Sequence, residues 1–187
     1  MGFIDNVKAL KVQSASTIAL ESMKYLLKFS SKHGFGKEFD RECLRLLKAR
    51  PTAVVLYNSI DRVKKERNAA EIREVIKEIE GAKAKVAANS EKIFLKKTTV
   101  LTHCHSTFEI AALVKNRGHV RDVIVTETRP KNQGVKTAKE LIAKKIPVTF
   151  IVDSAVADAI SRADIVMVGA DALRKEGVVN KVGTHMI

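Results

Sequence analysis

A thiol and a carboxylate stand at the ends of two short apolar runs. Cys104 closes Val100-Leu101-Thr102-His103-Cys104, and Asp171 follows Met167-Val168-Gly169-Ala170. Short apolar runs of this kind read as buried parallel strands. Both side chains then emerge at the carboxyl edge of one sheet, where open α/β sheets bind ligands. Cys104 and Asp171 are therefore the chain's best candidates for catalytic groups. The plain alternatives are a buried small hydrophobe for Cys104 and a turn cap for Asp171.

More polar residues gather at the same edge. Arg129, Gln133 and Gly134 follow the second apolar run, in Thr126-Glu127-Thr128-Arg129-Pro130-Lys131-Asn132-Gln133-Gly134. Arginine offers a planar donor fork suited to phosphate. Gly134 is placed to open a helix whose N-terminus favours an anion. Asn180 and Lys181 add an amide and a cation beyond Asp171. Together they describe a site for a phosphorylated substrate beside a thiol and a carboxylate. His103, Cys104 and His105 raise the question of a metal. Adjacent strand residues point to opposite faces, and no Cys-x-x-Cys or His-Glu-x-x-His spacing accompanies them. No metal and no cofactor is expected.

The elements that must position these groups fall into two kinds. Small or apolar residues recur at helical spacing at Ala15, Ile18, Ala19, Ser22, Leu26 and Phe29. After Gly34 and Gly36, the residues Phe39, Cys43, Leu46 and Leu47 mark a second helix, which Pro51 ends. A third helix follows Thr52 with Val54, Leu56, Tyr57 and Ile60, and a long amphipathic stretch runs from about residue 69 to 97. Cys43 belongs to the apolar stripe of the second helix and reads as core.

At Thr98 the period changes. Four short apolar runs, 99–103, 122–126, 148–152 and 165–168, alternate with helix-like stretches at 107–117, 134–145 and 154–162. Strands alternating with helices imply a parallel sheet with right-handed crossovers. The expectation is an α/β chain: a helical domain over 1–97, then a Rossmann-like, substrate-binding parallel-sheet domain over 98–187. The segment Val182-Gly183-Thr184-His185-Met186-Ile187 reads as the opening of another helix. Four strands with a terminus in mid-pattern lead us to expect a sheet truncated at its C-terminal side.

The formal net charge of +13 invites a nucleic-acid reading. Residues 1–97 hold 21 Lys and Arg against 12 Asp and Glu, and residues 98–187 hold 13 against 9, so the excess divides as +9 and +4. The cations are interleaved with glutamates, as in Lys64-Lys65-Glu66-Arg67, which is the pattern of a solvated helix face. With 5% aromatics and no Trp, there is little on which to stack bases. An anionic small ligand or an acidic partner fits at least as well as nucleic acid, which is not the expected partner. No run approaches the ~18 apolar residues of a membrane span, and Met1 to Val12 lacks the apolar core of a signal peptide. Two cysteines make no disulfide framework. A cytoplasmic protein is expected.

Ordered motifs then point to a family. Leu101-Thr102-His103-Cys104, Thr126-Glu127-Thr128-Arg129-Pro130 with Gln133-Gly134, Asp153-Ser154, Gly169-Ala170-Asp171 and Asn180-Lys181-Val182-Gly183-Thr184 occur in that sequence. Arg50-Pro51-Thr52-Ala53-Val54 precedes them. In this order they resemble the family that joins the alpha, beta and delta subunits of translation initiation factor 2B with two sugar-phosphate isomerases. The family's N-terminal Arg-Gly-Ala element, which helps hold a substrate phosphate in the enzymes, corresponds to Gln13-Ser14-Ala15. The resemblance implies a helical domain on a Rossmann-like domain, assembled as dimers or higher homo-oligomers. It also implies catalytic roles for Cys104 and Asp171, a pair that members acting in translation generally lack.

The expected activity is aldose–ketose isomerisation of a 1-phosphorylated ribose. Brevity and lysine-richness lean toward the archaeal enzyme that converts ribose 1,5-bisphosphate to ribulose 1,5-bisphosphate. Methylthioribose-1-phosphate isomerase is one alternative. A non-catalytic initiation-factor-2B-like subunit, with initiation factor 2 as partner, is the other. In the enzyme reading, Asp171 is the acid at the ring oxygen and Cys104 handles hydrogen at carbon 2. Proton and hydride transfer both remain open.

Overall fold

The computed structural model describes Ile4, residues 15–51 and residues 53–187. Gln13, Ser14 and Thr52, like most of the stretch from Met1 to Val12, lie outside the described residues. Contacts divide the chain into two compact units, Met1–Ala82 and Lys83–Ile187. Among the described residues, no helix is long and apolar enough to cross a membrane.

The first unit is helical. It contains α1 (Ala15–His33), α2 (Lys37–Ala49), α3 (Val54–Glu66) and the greater part of α4 (Ala69–Ser90). Ile18, Met23 and Leu26 of α1 are fully buried with Phe39 and Leu46 of α2 and Leu56 of α3. Gly34, at φ +69, takes the left-handed turn that closes α1, and its N–H donates to Ser30 O at 2.9 Å. The Asn68 side chain accepts the Glu71 N–H at 2.8 Å and opens α4. Tyr57 is 58% exposed, because the buried stripe runs Leu56, Ser59, Ile60, Val63 and leaves position 57 on the outer face.

The second unit is built on a four-stranded parallel sheet of order β3-β2-β1-β4. Its strands are β1 (Thr98–His103), β2 (Val120–Thr126), β3 (Val148–Ile151) and β4 (Ile165–Val168), crossed by α5 (Thr107–Lys115), α6 (Gln133–Ala143) and the single turn α7 (Val156–Ala159). Pleat alternation divides the core. Val100, Val123 and Val125 face Ile110, Leu113 and Leu141 of α5 and α6. Leu101 and Ile124 face Val156 and Ala159 on the other side. Register pairs His103 with Val168 and Thr102 with Val125, so the C-terminal ends of β1, β2 and β4 lie level.

Three features depart from sequence expectation. The helix expected to reach residue 97 stops at Ser90, where Ser90 Oγ donates to Ala87 O at 2.7 Å and accepts from Asn116 Nδ2 at 2.8 Å. Turns follow, and the core takes Phe94 while Ile93 is left 54% exposed. A hairpin of β5 (Ala172–Arg174) and β6 (Gly177–Val179) follows Asp171. The segment read as a helix opening forms one 3₁₀ turn, Thr184–Met186.

Gly134 sets how closely α6 approaches β2. A Cβ there would stand 1.7 Å from Thr126 O, a backbone atom unable to move aside. Gly81, within α4, has nothing within 4 Å of such a Cβ. Gly134→Ala should therefore destabilise by about 2 kcal/mol or more, and Gly81→Ala should stabilise by roughly 0.5–1 kcal/mol. Thermal melts of the two variants check both signs.

Candidate active site

The site is organised around the residue after β1. Cys104 has φ 77, a left-handed conformation that costs a side-chain-bearing residue about 1 kcal/mol or more. Side-chain hydroxyls hold its peptide groups. The Cys104 N–H donates to Thr128 Oγ1 at 2.8 Å, and its carbonyl accepts from Thr137 Oγ1 at 2.8 Å. The chain thus turns out of the sheet at Cys104 and leaves the thiol half-buried.

The electrostatics of the thiol follow from its neighbours. Burial raises its pKa, and the negative charges of Asp171 and Glu109 add to that effect. The His105 backbone N–H and the Lys181 ammonium oppose it. Cys104, Asp171 and Lys181 are therefore coupled groups at one edge, two of them from the segment beyond β4. The Asp171 side chain is exposed, and its N–H donates to Val179 O at 2.8 Å. Gly169 brings the end of β4 against α5, since a Cβ there would stand 3.0 Å from Ser106 Cβ and 4.0 Å from Asn180 Oδ1.

A carboxylate clamps the loop after β2. Asp153 accepts the N–H of Thr128 at 2.8 Å with one oxygen and that of Arg129 at 2.7 Å with the other. Burial pushes the Asp153 carboxyl up, but these two amides, with His103 and Thr126, together hold it below its ordinary value. The clamp fixes Thr128 at φ 62, and Thr128 in turn supports Cys104. Arg129 is exposed and donates to Asn132 Oδ1 at 3.0 Å. Gln133 begins α6 with a buried Oε1 that has no hydrogen-bond partner. The Gly134 N–H is turned to Glu127 O at 3.2 Å.

The two histidines have structural partners. His103 Nε2 lies 2.9 Å from Val182 O and Nδ1 lies 2.6 Å from Thr126 Oγ1. A carbonyl only accepts, so Nε2 carries a proton. Gly183, at φ +96, passes so near that a Cβ there would lie 3.1 Å from the His103 ring. His103 thereby ties the Asn180–Lys181 segment to β1. Within that segment, Asn180 Nδ2 donates to Thr184 Oγ1 at 3.3 Å and Thr184 Oγ1 to Lys181 O at 2.7 Å. His105 Nδ1 lies 3.1 Å from Thr137 Oγ1, and burial together with the Lys136 cation lowers its pKa. The sharp turn that a metal would need does occur at Cys104, but it sends the rings to these separate partners.

Thr128, Thr137 and Asp153 were not singled out as site residues from sequence. Asp153 follows the third apolar run and stands at the same edge, so the logic applied to Asp171 could have found it. Nothing in the types or spacing of the two threonines marks them, because their roles depend on the left-handed turn.

The second unit thus presents a thiol, a carboxylate and a lysine as a coupled group, with an arginine on the adjoining loop. That is a set able to move protons and hold an anion. The initiation factor 2 subunit family matches residues 11–187. Ribose 1,5-bisphosphate isomerases of Archaeoglobus fulgidus and Methanocaldococcus jannaschii are each 36% identical over 98% of this chain, covering 64% and 65% of their own lengths. A methylthioribose-1-phosphate isomerase of Klebsiella pneumoniae is 31% identical over 98% of this chain and 60% of its own. The chain spans less than two thirds of these curated relatives. Among solved structures, the Pyrococcus horikoshii translation initiation factor eIF-2B superposes with a TM-score of 0.83 at 22% identity, over 98% of this chain and 70% of that one. The eIF2B beta2-delta2 tetramer of C. thermophilum gives a TM-score of 0.75 at 22% identity. These structures share its fold, and by its sequence the chain belongs to the initiation factor 2 subunit family.

Proposed function

We propose that this chain is the substrate-handling part of an aldose–ketose isomerase that converts ribose 1,5-bisphosphate to ribulose 1,5-bisphosphate. The observation that carries this reading is geometric: Thr128 and Thr137 hold Cys104 in a left-handed turn at the carboxyl end of β1, and His103 fastens the segment beyond Asp171 and Lys181 to the same strand through Val182 O. The names of the archaeal relatives support the substrate.

The residue types account for each step. A sugar phosphorylated at carbon 1 has no free aldehyde, so its ring must open. Asp171 acts as the acid, passing a proton to the ring oxygen as the bond from that oxygen to carbon 1 breaks. The Cys104 thiolate takes the proton from carbon 2, and the electron pair of that bond forms the double bond to carbon 1. The resulting enol returns its hydroxyl proton to Asp171, and the Cys104 thiol protonates carbon 1. Both groups end in their starting states, and no oxidant is needed. Lys181 and Asn180 hold one phosphate, and Arg129 with Gln133 holds the other. Hydride transfer from carbon 2 to carbon 1 uses the same pair. Product formed in D₂O separates the two routes, because only proton transfer places deuterium on carbon 1.

Burial raises the pKa of the thiol, and the His105 backbone N–H, followed by the Lys181 ammonium, favours the thiolate. The same reading makes the protein a cytoplasmic homo-oligomer, which light scattering tests.

Incubation with ribose 1,5-bisphosphate, followed by phosphorus NMR, should give ribulose 1,5-bisphosphate; product only from methylthioribose 1-phosphate would reassign the substrate. Cys104→Ser and Asp171→Asn should each reduce turnover by about 100-fold or more, and near-normal rates in both would remove the mechanism. Alkylation by iodoacetamide reads the thiol directly, because burial leaves Cys43 with a pKa of about 12 and unreactive. Lys181→Gln should raise the Cys104 pKa and slow alkylation at pH 8, whereas Asp171→Asn should lower it and speed alkylation.

A further inference from the structure

Among the described residues, the α/β unit holds a buried acid that no charged partner answers. A cavity of about 450 Å³ opens beside α5, walled by Val86, Ile93, Phe108, Met167 and Gly169, with Glu109 the only titratable residue among the described residues that line it. Glu109 is 4% exposed, and both of its carboxyl oxygens are buried without a hydrogen-bond partner. The Thr102 hydroxyl, buried near it on β1, has no partner of ordinary geometry either. Burial pushes the Glu109 carboxyl up to about 8, with Thr102 pulling it part of the way back.

Packing alone gives no reason for this residue. The neighbouring core positions of α5 are Ile110, Ala112 and Leu113, and an apolar side chain at 109 would avoid the cost of an unsatisfied buried carboxyl. The Glu109 backbone N–H is already capped by Ser106 Oγ at 3.3 Å, so the side chain is not needed to start the helix.

We propose that this cavity is a binding site for a small amphipathic amine, with the Glu109 carboxylate receiving its ammonium group. An anion has no counterpart there, since among the described residues no Lys, Arg or His lines the cavity. An ammonium supplies three donors to the two orphan oxygens and restores the charge that burial suppresses. The apolar walls suit a short hydrocarbon body, and the volume is that of a small-molecule pocket. Other elements bring Thr102, Asn89 and Ser90 toward the acid, and its titratable neighbour is the Cys104 thiol. The proposal stands independently of the isomerase reading.

The probe is n-pentylammonium, with 1-pentanol as its neutral counterpart. Calorimetry at pH 7, in buffers of different ionisation enthalpy, should show saturable 1:1 binding with release of close to one proton as Glu109 ionises. Affinity should rise about tenfold from pH 6 to pH 7. The Met167 methyl resonance should shift on titration, which locates the site. Glu109→Gln should weaken amine binding by tenfold or more. Equal binding of pentanol, undiminished binding to Glu109→Gln, a shift that spares Met167, or no binding at all would each overturn the proposal. If Glu109→Gln does not fold, proton release and the Met167 shift in the unaltered protein decide it.

Discussion

The backbone of Cys104 is the constraint on which the rest of the site depends. In a regular strand the residue after His103 would continue the pleat and point into one face of the sheet. Here the chain turns left-handed, and two threonine hydroxyls hold the peptide groups on either side. One belongs to the loop after β2 and the other to α6, so the thiol's position is set by three segments distant in sequence. Asp153 adds a fourth, because its carboxylate fixes the loop that carries Thr128. A strained turn supported from several sides is how a fold stores precision at a reactive group.

The same arrangement sets the charge balance. Burial alone would leave the thiol inert, as it does Cys43 in the helical unit. At Cys104 the opposing charges of Lys181 and Asp171 arrive on one segment, which His103 fastens to β1 through Val182 O. Cation and carboxylate therefore share their anchoring. Substrate phosphate drawn to Lys181 would sit where it meets the thiol and the acid together.

Much of this was legible in the chain. Alternation of four apolar runs with helical stretches specified the parallel sheet, because each run is too short and too apolar for anything but a buried strand. The position of Cys104 and Asp171 at strand ends followed from that topology, as did the loops of Arg129 and Lys181. What could not be read depended on contacts across the fold. Helix α4 ends at Ser90 through a bond from Asn116, a partner 26 residues away, so the periodic pattern beyond it misled. Thr128 and Thr137 are ordinary residues until the turn at Cys104 exists to need them, and Glu109 looked like any polar residue in the first turn of a helix.

The central claim is that one sheet edge, centred on Cys104, receives the phosphorylated sugar. A crystal structure of the Cys104→Ser protein with ribose 1,5-bisphosphate tests this most directly. One phosphate should lie at Asn180 and Lys181, the other at Arg129 and Gln133, with carbon 2 facing residue 104 and the ring oxygen facing Asp171. A sugar bound away from this edge, or a site at saturating sugar with neither phosphate on these residues, would contradict the account.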